Sequence, residues 1–220
     1  MSNYIPYKFL LVGPSGRGKT YSFRNMDKER TLFINVENKP LPFLPGFTNT
    51  IIPQNSSEVL AALSAGSTNP NIDAIIVDSF SAYVDLLLSE ARITKRGFDI
   101  WNHYNENIGK FNTYVKNVRK EVFVTGHSEI ITDELGGSRE RRLKVKGKEW
   151  EGTIEKDYTI VMYTDSKPVE NSRPFHFFKL INDGTDSTKV PPGIFPDDLF
   201  SVENDSNLVL TRLKQFIIDN

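Results

Sequence analysis

The 220-residue chain carries 27 lysines and arginines against 28 acids, a net charge of -1, and no cysteine. So even a balance gives no global field that steers a protein to nucleic acid, so any such contact must be a local patch. A disulfide framework and a thiolate metal site are excluded, no apolar run approaches a membrane span, and Met1 to Pro6 lack a signal-peptide pattern. The expectation is a cytoplasmic protein of one α/β domain over residues 1–220.

The first predicted unit is a buried strand, Lys8 to Val12, then Gly13-Pro14-Ser15-Gly16-Arg17-Gly18-Lys19-Thr20, then a helix to about Met26. The loop spells G-x-x-x-x-G-K-T, and the spelling has physical reasons. Glycines let the backbone bend until its N–H groups face phosphate oxygens. A helix beginning near Lys19 adds its positive end. Lys19 is placed to reach the β- and γ-phosphates, and the Thr20 hydroxyl to take one position on Mg²⁺. This stretch, with Tyr21 behind it, is the predicted site for a nucleoside triphosphate.

A second strand, Thr31 to Val36, ends in Glu37 and enters a connection holding Pro40, Pro42 and Pro45. A short apolar piece, Thr50 to Ile52, precedes Pro53. Ser56-Ser57-Glu58 then opens a helix on Val59, Leu60 and Leu63 that Gly66 closes. Ile72 to Val77 is a continuous apolar strand of the kind buried on both faces of a parallel sheet, ending in Asp78-Ser79. One helix runs through Val84 to Leu88.

Another helix, from Phe98 to Arg119, carries Trp101, Tyr104, Ile108, Phe111, Val115 and Val118 at three- and four-residue spacing. This row reads as the face packed on the sheet, with a base-stacking platform as the alternative. A strand from Glu121 to Thr125 ends at Gly126-His127. Thr132 to Lys156 is polar and basic and reads as a mobile loop. Tyr158 to Tyr163 and Phe175 to Leu180 read as two strands of an antiparallel extension, and Leu208 to Ile218 as a closing helix. The expected architecture is a mostly parallel sheet with helices on both faces and an antiparallel C-terminal part.

A triphosphatase also needs a carboxylate beside Mg²⁺ and a group that positions or deprotonates water. Asp78 ends a strand at the carboxyl edge, where Mg²⁺ would sit; the plain alternative is a helix cap. Ser79 follows where many triphosphatases have a glutamate, so Glu37 is the candidate base, against a solvated acid opening a loop. His127 ends the strand after that of Asp78, where a neutral imidazole could sense bound phosphate, against a structural hydrogen bonder. Arg139, Arg141, Arg142, Lys144, Lys146 and Lys148, with Gly136-Gly137 before them, form the strongest local excess of positive charge. They read either as a nucleic-acid contact or as a solvated face.

With GPSGRGKT, the strand closing in Glu37, Ile75-Ile76-Val77-Asp78-Ser79 and Val122 to His127 assembled, the chain resembles the RecA superfamily. Within it, the chain is most similar to the short phage-type RecA-like recombinases that are little more than the ATPase core. The resemblance covers roughly residues 8 to 130. It implies a RecA-like P-loop fold, ATP and Mg²⁺ as cofactors, hydrolysis with Glu37 as base and Asp78 on Mg²⁺, and His127 coupling the γ-phosphate to a DNA loop.

It also implies single-stranded DNA held by the segments after Ser89 and after His127, and a homo-oligomer with ATP between subunits. Lys189 is then the candidate lysine supplied from a neighbour, and a single-strand-binding protein a candidate companion. Few residues precede the first strand, and no counterpart of the C-terminal domain of RecA follows. Annealing or strand pairing is therefore the expected activity, rather than full strand exchange. Two other readings fit the same residues: a nucleotide-gated binding or assembly module with negligible hydrolysis, and a nucleotide kinase with Arg139–Arg142 as its lid.

Overall fold

The computed structural model describes residues 4–132 and 139–220. Its centre is an eight-stranded sheet of β1 (Lys8–Val12), β2 (Thr31–Asn35), β3 (Asn49–Ile51), β4 (Ala74–Asp78), β5 (Glu121–Gly126), β8 (Ile160–Lys167), β9 (Phe175–Lys179) and β10 (Ser201–Glu203). The spatial order is β10-β9-β8-β1-β5-β4-β2-β3. The pairs from β8 to β3 are parallel and the last two are antiparallel. A separate antiparallel pair joins β6 (Ser128–Thr132) and β7 (Arg139–Leu143).

The central strands are apolar throughout because both faces are covered. Side chains alternate between them. Leu10, Val12, Ile75, Val77, Val122 and Val124 face a core shared with α1 (Ser56–Thr68), α2 (Phe80–Thr94) and α3 (Asp99–Asn117). Phe9, Leu11, Phe33, Ile76 and Phe123 face a second core closed by α4 (Ser206–Asp219) through Val209, Leu210 and Leu213. The rings of Phe9 and Phe123 stack at 4.1 Å.

The register positions the functional residues. Val12 is opposite Gly126, and Asn35 opposite Asp78, so β1, β2, β4 and β5 stop at one level. Whatever follows them lies along a single carboxyl edge. Among the described residues, no helix is long and apolar enough to cross a membrane.

Several expectations need correction. The helix after the glycine loop is only a four-residue 3₁₀ turn, Thr20–Phe23. Ser22 Oγ donates back to Lys19 O, and the Asp27 carboxylate accepts the N–H groups of Glu29 and Arg30, which turns the chain. The strand after Tyr158, β8, is antiparallel to β9 as expected, but on its other side it runs parallel to β1. The antiparallel part continues into β10, a third strand beyond the two expected.

The basic stretch is a strand where its description begins and is irregular from Lys144 to Lys156, with short 3₁₀ turns. Arg139–Leu143 is strand β7, anchored by Leu143 and Val145 in the main core. Gly136 and Gly137 lie outside the described residues. In α3, Tyr104, Ile108, Phe111 and Val115 are buried as expected, and so is Val118 beyond its end. Trp101 is 41% exposed instead and meets Tyr104 edge-on, with ring centroids 5.8 Å apart.

Candidate active site

The glycine loop leaves β1 held by its neighbours: Gly13 N donates to Gly126 O at 3.1 Å. A Cβ at Gly13 would collide with the Thr164 hydroxyl on β8, so only glycine permits this approach. Gly18 has φ +81°, a left-handed conformation that side chains resist. The loop is thus shaped by packing as well as by its motif.

Lys19 is buried, with Nζ donating to Gly13 O at 2.8 Å and Pro14 O at 2.9 Å. Burial lowers its ammonium to about 8, although Asp78 and Glu37 pull in the other direction. Thr20 Oγ1 donates to Asp78 Oδ2 at 2.7 Å, and Thr125 Oγ1 donates to Asp78 Oδ1. Burial raises the Asp78 carboxyl above the usual range, with the two hydroxyls opposing it. A buried carboxylate next to a threonine hydroxyl at the mouth of a phosphate loop is a donor set that fits Mg²⁺, a cation that favours oxygen ligands. The residues present therefore fit a Mg–triphosphate.

The Asp78–Ser79 peptide bond is cis. Ser79 caps α2, its Oγ accepting from Ala82 N at 3.2 Å, and donates to Glu37 Oε1 at 3.0 Å. Lys39 Nζ holds the other oxygen at 2.8 Å. Burial alone would raise Glu37, but these hydrogen bonds outweigh it, so the carboxyl titrates below its usual range. His127 Nε2 lies 3.9 Å from Glu37 Oε1, and Nδ1 lies 3.5 Å from Lys19 Nζ. Burial and the Lys19 charge lower the imidazole, which favours its neutral form. Its main-chain N–H donates to Ser81 Oγ at 2.9 Å.

Lys19, Thr20, Glu37, Asp78 and His127, separated by up to 108 residues in sequence, therefore line one cleft of 710 Å³. Ser15, Gly16, Gly18 and Tyr21 line it as well. Arg17 turns outward to Ser166 and Asp165 on β8. Sequence reasoning missed Ser79 and Thr125 as hydroxyls that fix the two carboxylates. The signal for Thr125 was available: it ends the strand beside β4. Also missed was the far wall of the cleft, which comes from the β8–β9 connection, His176 and Asn204.

The basic residues do not converge on the cleft. Arg141 pairs with Asp165 at 3.2 Å and with fully buried Asp186 at 3.0 Å, Arg142 with Glu140 at 2.6 Å, and Lys146 with Asp85 at 2.6 Å. Arg139, Lys144 and Lys148 are exposed. Lys189 is exposed outside the cleft of its own chain, its Nζ donating to Lys156 O at 3.3 Å.

Residues 5–190 match a protein family described as AAA domain (AAA_24). Among curated proteins no sequence matches. Among solved structures, the chain is similar to the RadB recombinase, with 12% identity over 80% of this chain and 81% of that one, at a TM-score of 0.46. It is also similar to a KaiC-like protein from Pyrococcus horikoshii OT3, with 14% identity over 79% and 77% of the two chains, at a TM-score of 0.45.

Proposed function

This chain belongs to the AAA domain family, and we propose that it is a RecA-like, Mg²⁺-dependent P-loop ATPase whose turnover is stimulated by single-stranded DNA. The observation that supports hydrolysis best is the meeting of Lys19, Thr20, Asp78, Glu37 and His127 on one cleft. The glycine loop and the Lys19 ammonium bind the phosphates. Thr20 and Asp78 would hold Mg²⁺, which would neutralise negative charge developing on the phosphates. Glu37, ionised and aimed by Ser79, orients the attacking water and accepts its proton. Neutral His127, touching both Lys19 and Glu37, registers whether a γ-phosphate is present.

His127 continues directly into β6, and β6 pairs with the basic strand β7. That continuity supports the exposed Arg139, Lys144 and Lys148 as the backbone-binding face for a single strand. The activity proposed is annealing or strand pairing of phage type. A homo-oligomer in which Lys189 reaches the neighbour's nucleotide is part of the same proposal, since this exposed lysine lies away from its own cleft.

ATP hydrolysis measured with and without single-stranded DNA, beside Lys19→Ala, tests this. Strong stimulation that the variant abolishes is expected; hydrolysis indifferent to DNA removes the DNA from the function. One observation favours a second reading, a nucleotide-gated assembly module. The Lys39 ion pair and the Ser79 hydrogen bond weaken Glu37 as a base, and negligible turnover with tight ATP binding would select that reading. The kinase alternative required Arg139–Arg142 to act as a lid. Those residues instead form strand β7, with Arg141 and Arg142 ion-paired.

A further inference from the structure

Lys39 stands beside the cleft in a closely built turn that follows β2. Val36 N and Glu37 N both donate to Asp78 O, at 2.8 and 3.3 Å. Asn38 is left-handed, with φ +50°. The Asn35 carboxamide grips the main chain of Lys39 on both sides: it donates to the carbonyl at 2.9 Å and accepts from the N–H at 3.4 Å. The backbone of Lys39 is thereby fixed to the carboxyl edge. Its side chain is 73% exposed, a flexible four-carbon stem with room to swing.

The ammonium rests on Glu37 Oε2 at 2.8 Å, while Ser79 holds Oε1 at 3.0 Å. Its charge reaches the rest of the site. Behind burial, it is one of the causes that lower Lys19 and His127, and it is itself raised by Glu37 first, with Asp78 adding. Lys39 therefore lies at the end of the cleft shared by Lys19, Glu37, Asp78 and His127, where the terminal phosphate of a triphosphate would sit. An ion pair this exposed is weakly held. A terminal phosphate bearing up to two negative charges attracts an ammonium more strongly than one carboxylate does.

We propose that Lys39 is a γ-phosphate ligand, and that its ammonium leaves Glu37 Oε2 for that phosphate when a triphosphate binds. This rests on the nucleotide-binding reading above and adds how the site tells a triphosphate from a diphosphate. The exchange has two effects. It brings a second ammonium, beside Lys19, to the oxygens on which charge develops. It also frees the Glu37 oxygen that Lys39 occupies, while Ser79 goes on holding the other, so the carboxylate becomes available to water only with a γ-phosphate in place. A diphosphate lacks the group that draws Lys39 away, and the ion pair persists.

The test is equilibrium binding of the β,γ-imido analogue of ATP and of ADP, each with Mg²⁺, by calorimetry on the full chain. Lys39→Ala is expected to weaken the triphosphate about 10- to 100-fold and to leave ADP unchanged. The same loss is expected when Lys39→Ala is made in a Glu37→Gln background, because the contact is with phosphate and not only with Glu37. No loss, a loss shared equally by ADP, or a loss that vanishes in the Glu37→Gln background overturns the assignment while leaving triphosphate binding intact. Lys39→Met, which keeps the apolar stem, gives the same comparison where the alanine variant fails to fold. Failure of the wild type to bind either nucleotide would instead overturn the nucleotide-binding reading along with this one.

Discussion

The carboxyl edge of the sheet and the β6–β7 ladder are both rich in charge, yet they are built differently. At the edge, Lys19, Asp78 and Glu37 are buried or half-buried, are held by hydroxyls and main-chain carbonyls, and all face one cleft. On β7 and the residues just beyond it, Arg141, Arg142 and Lys146 are matched to acids of this chain. Charge is thus concentrated for an incoming ligand in the first region and largely consumed by the fold in the second. A count of basic residues cannot separate the two cases, because exposure and pairing decide which charges remain available.

The sharpest way to break this contrast is Glu37→Gln. It should lower the hydrolysis rate by ~10²–10⁴ with nucleotide affinity preserved, read by single-turnover kinetics beside calorimetry. Wild-type turnover in that variant would remove Glu37 from the chemistry. On the other side, Arg141→Ala should act on stability first. It withdraws a partner from fully buried Asp186, at a cost of about 2–3 kcal/mol in chemical denaturation. An unchanged midpoint would mean that Lys179, 3.1 Å from the same carboxylate, suffices alone.

Asp78→Asn should separate function from stability. Because folding raises the Asp78 carboxyl, the native state holds its proton more tightly than the unfolded chain does. Its contribution to stability is therefore greatest below the unfolded value and is lost as pH rises through the folded one. The amide removes that loss, so the variant should be more stable than the wild type at neutral pH while losing Mg²⁺-dependent turnover. Equal or lower stability at neutral pH would contradict the account of its burial.

Lys19 gives a milder pH effect. Its ammonium, lowered to about 8, empties above that value, so ATP affinity should fall about tenfold between pH 7 and 9. A flat profile would place the lysine's charge outside binding. The smallest effect concerns the exposed cations. Lys144→Ala and Lys148→Ala should leave the melting curve in place. Each should reduce the log–log salt slope of single-strand binding by ~0.7. An unchanged slope would move the strand to another face.

Much of the edge was legible in the sequence because a parallel sheet turns sequence position into spatial position. A residue that ends an apolar strand lands beside the residues that end its neighbours, which is how Glu37, Asp78 and His127 came together. What was hidden depended on partners remote in sequence. The Thr125 and Ser79 hydroxyls acquire meaning only once their carboxylates are in place. The wall holding His176 and Asn204 required knowing that β9 and β10 return to the loop. Strand β7, Arg-Glu-Arg-Arg-Leu, has one apolar residue in five, so its period-2 pattern was masked by charge. Trp101 satisfied the helical spacing yet lies at the margin of the buried stripe, 41% exposed.

The ladder is fastened firmly at one end. Lys144 N donates to His127 O at 2.7 Å, Leu143 N donates to Glu155 Oε1 at 2.9 Å, and the Leu143 side chain closes over Gly126, leaving no room there for a Cβ. The same ribbon is fastened again at mid-length, where Arg141 N donates to Thr185 O at 2.7 Å and the Arg141 guanidinium pairs with Asp186 at 3.0 Å. It is therefore a brace between the end of β5 and the β9–β10 connection, not a tether. Only Glu140 and Arg139, about 7 Å of strand, reach past the second anchor. A shift of His127 would thus be passed on to the β9–β10 connection before it reached Arg139.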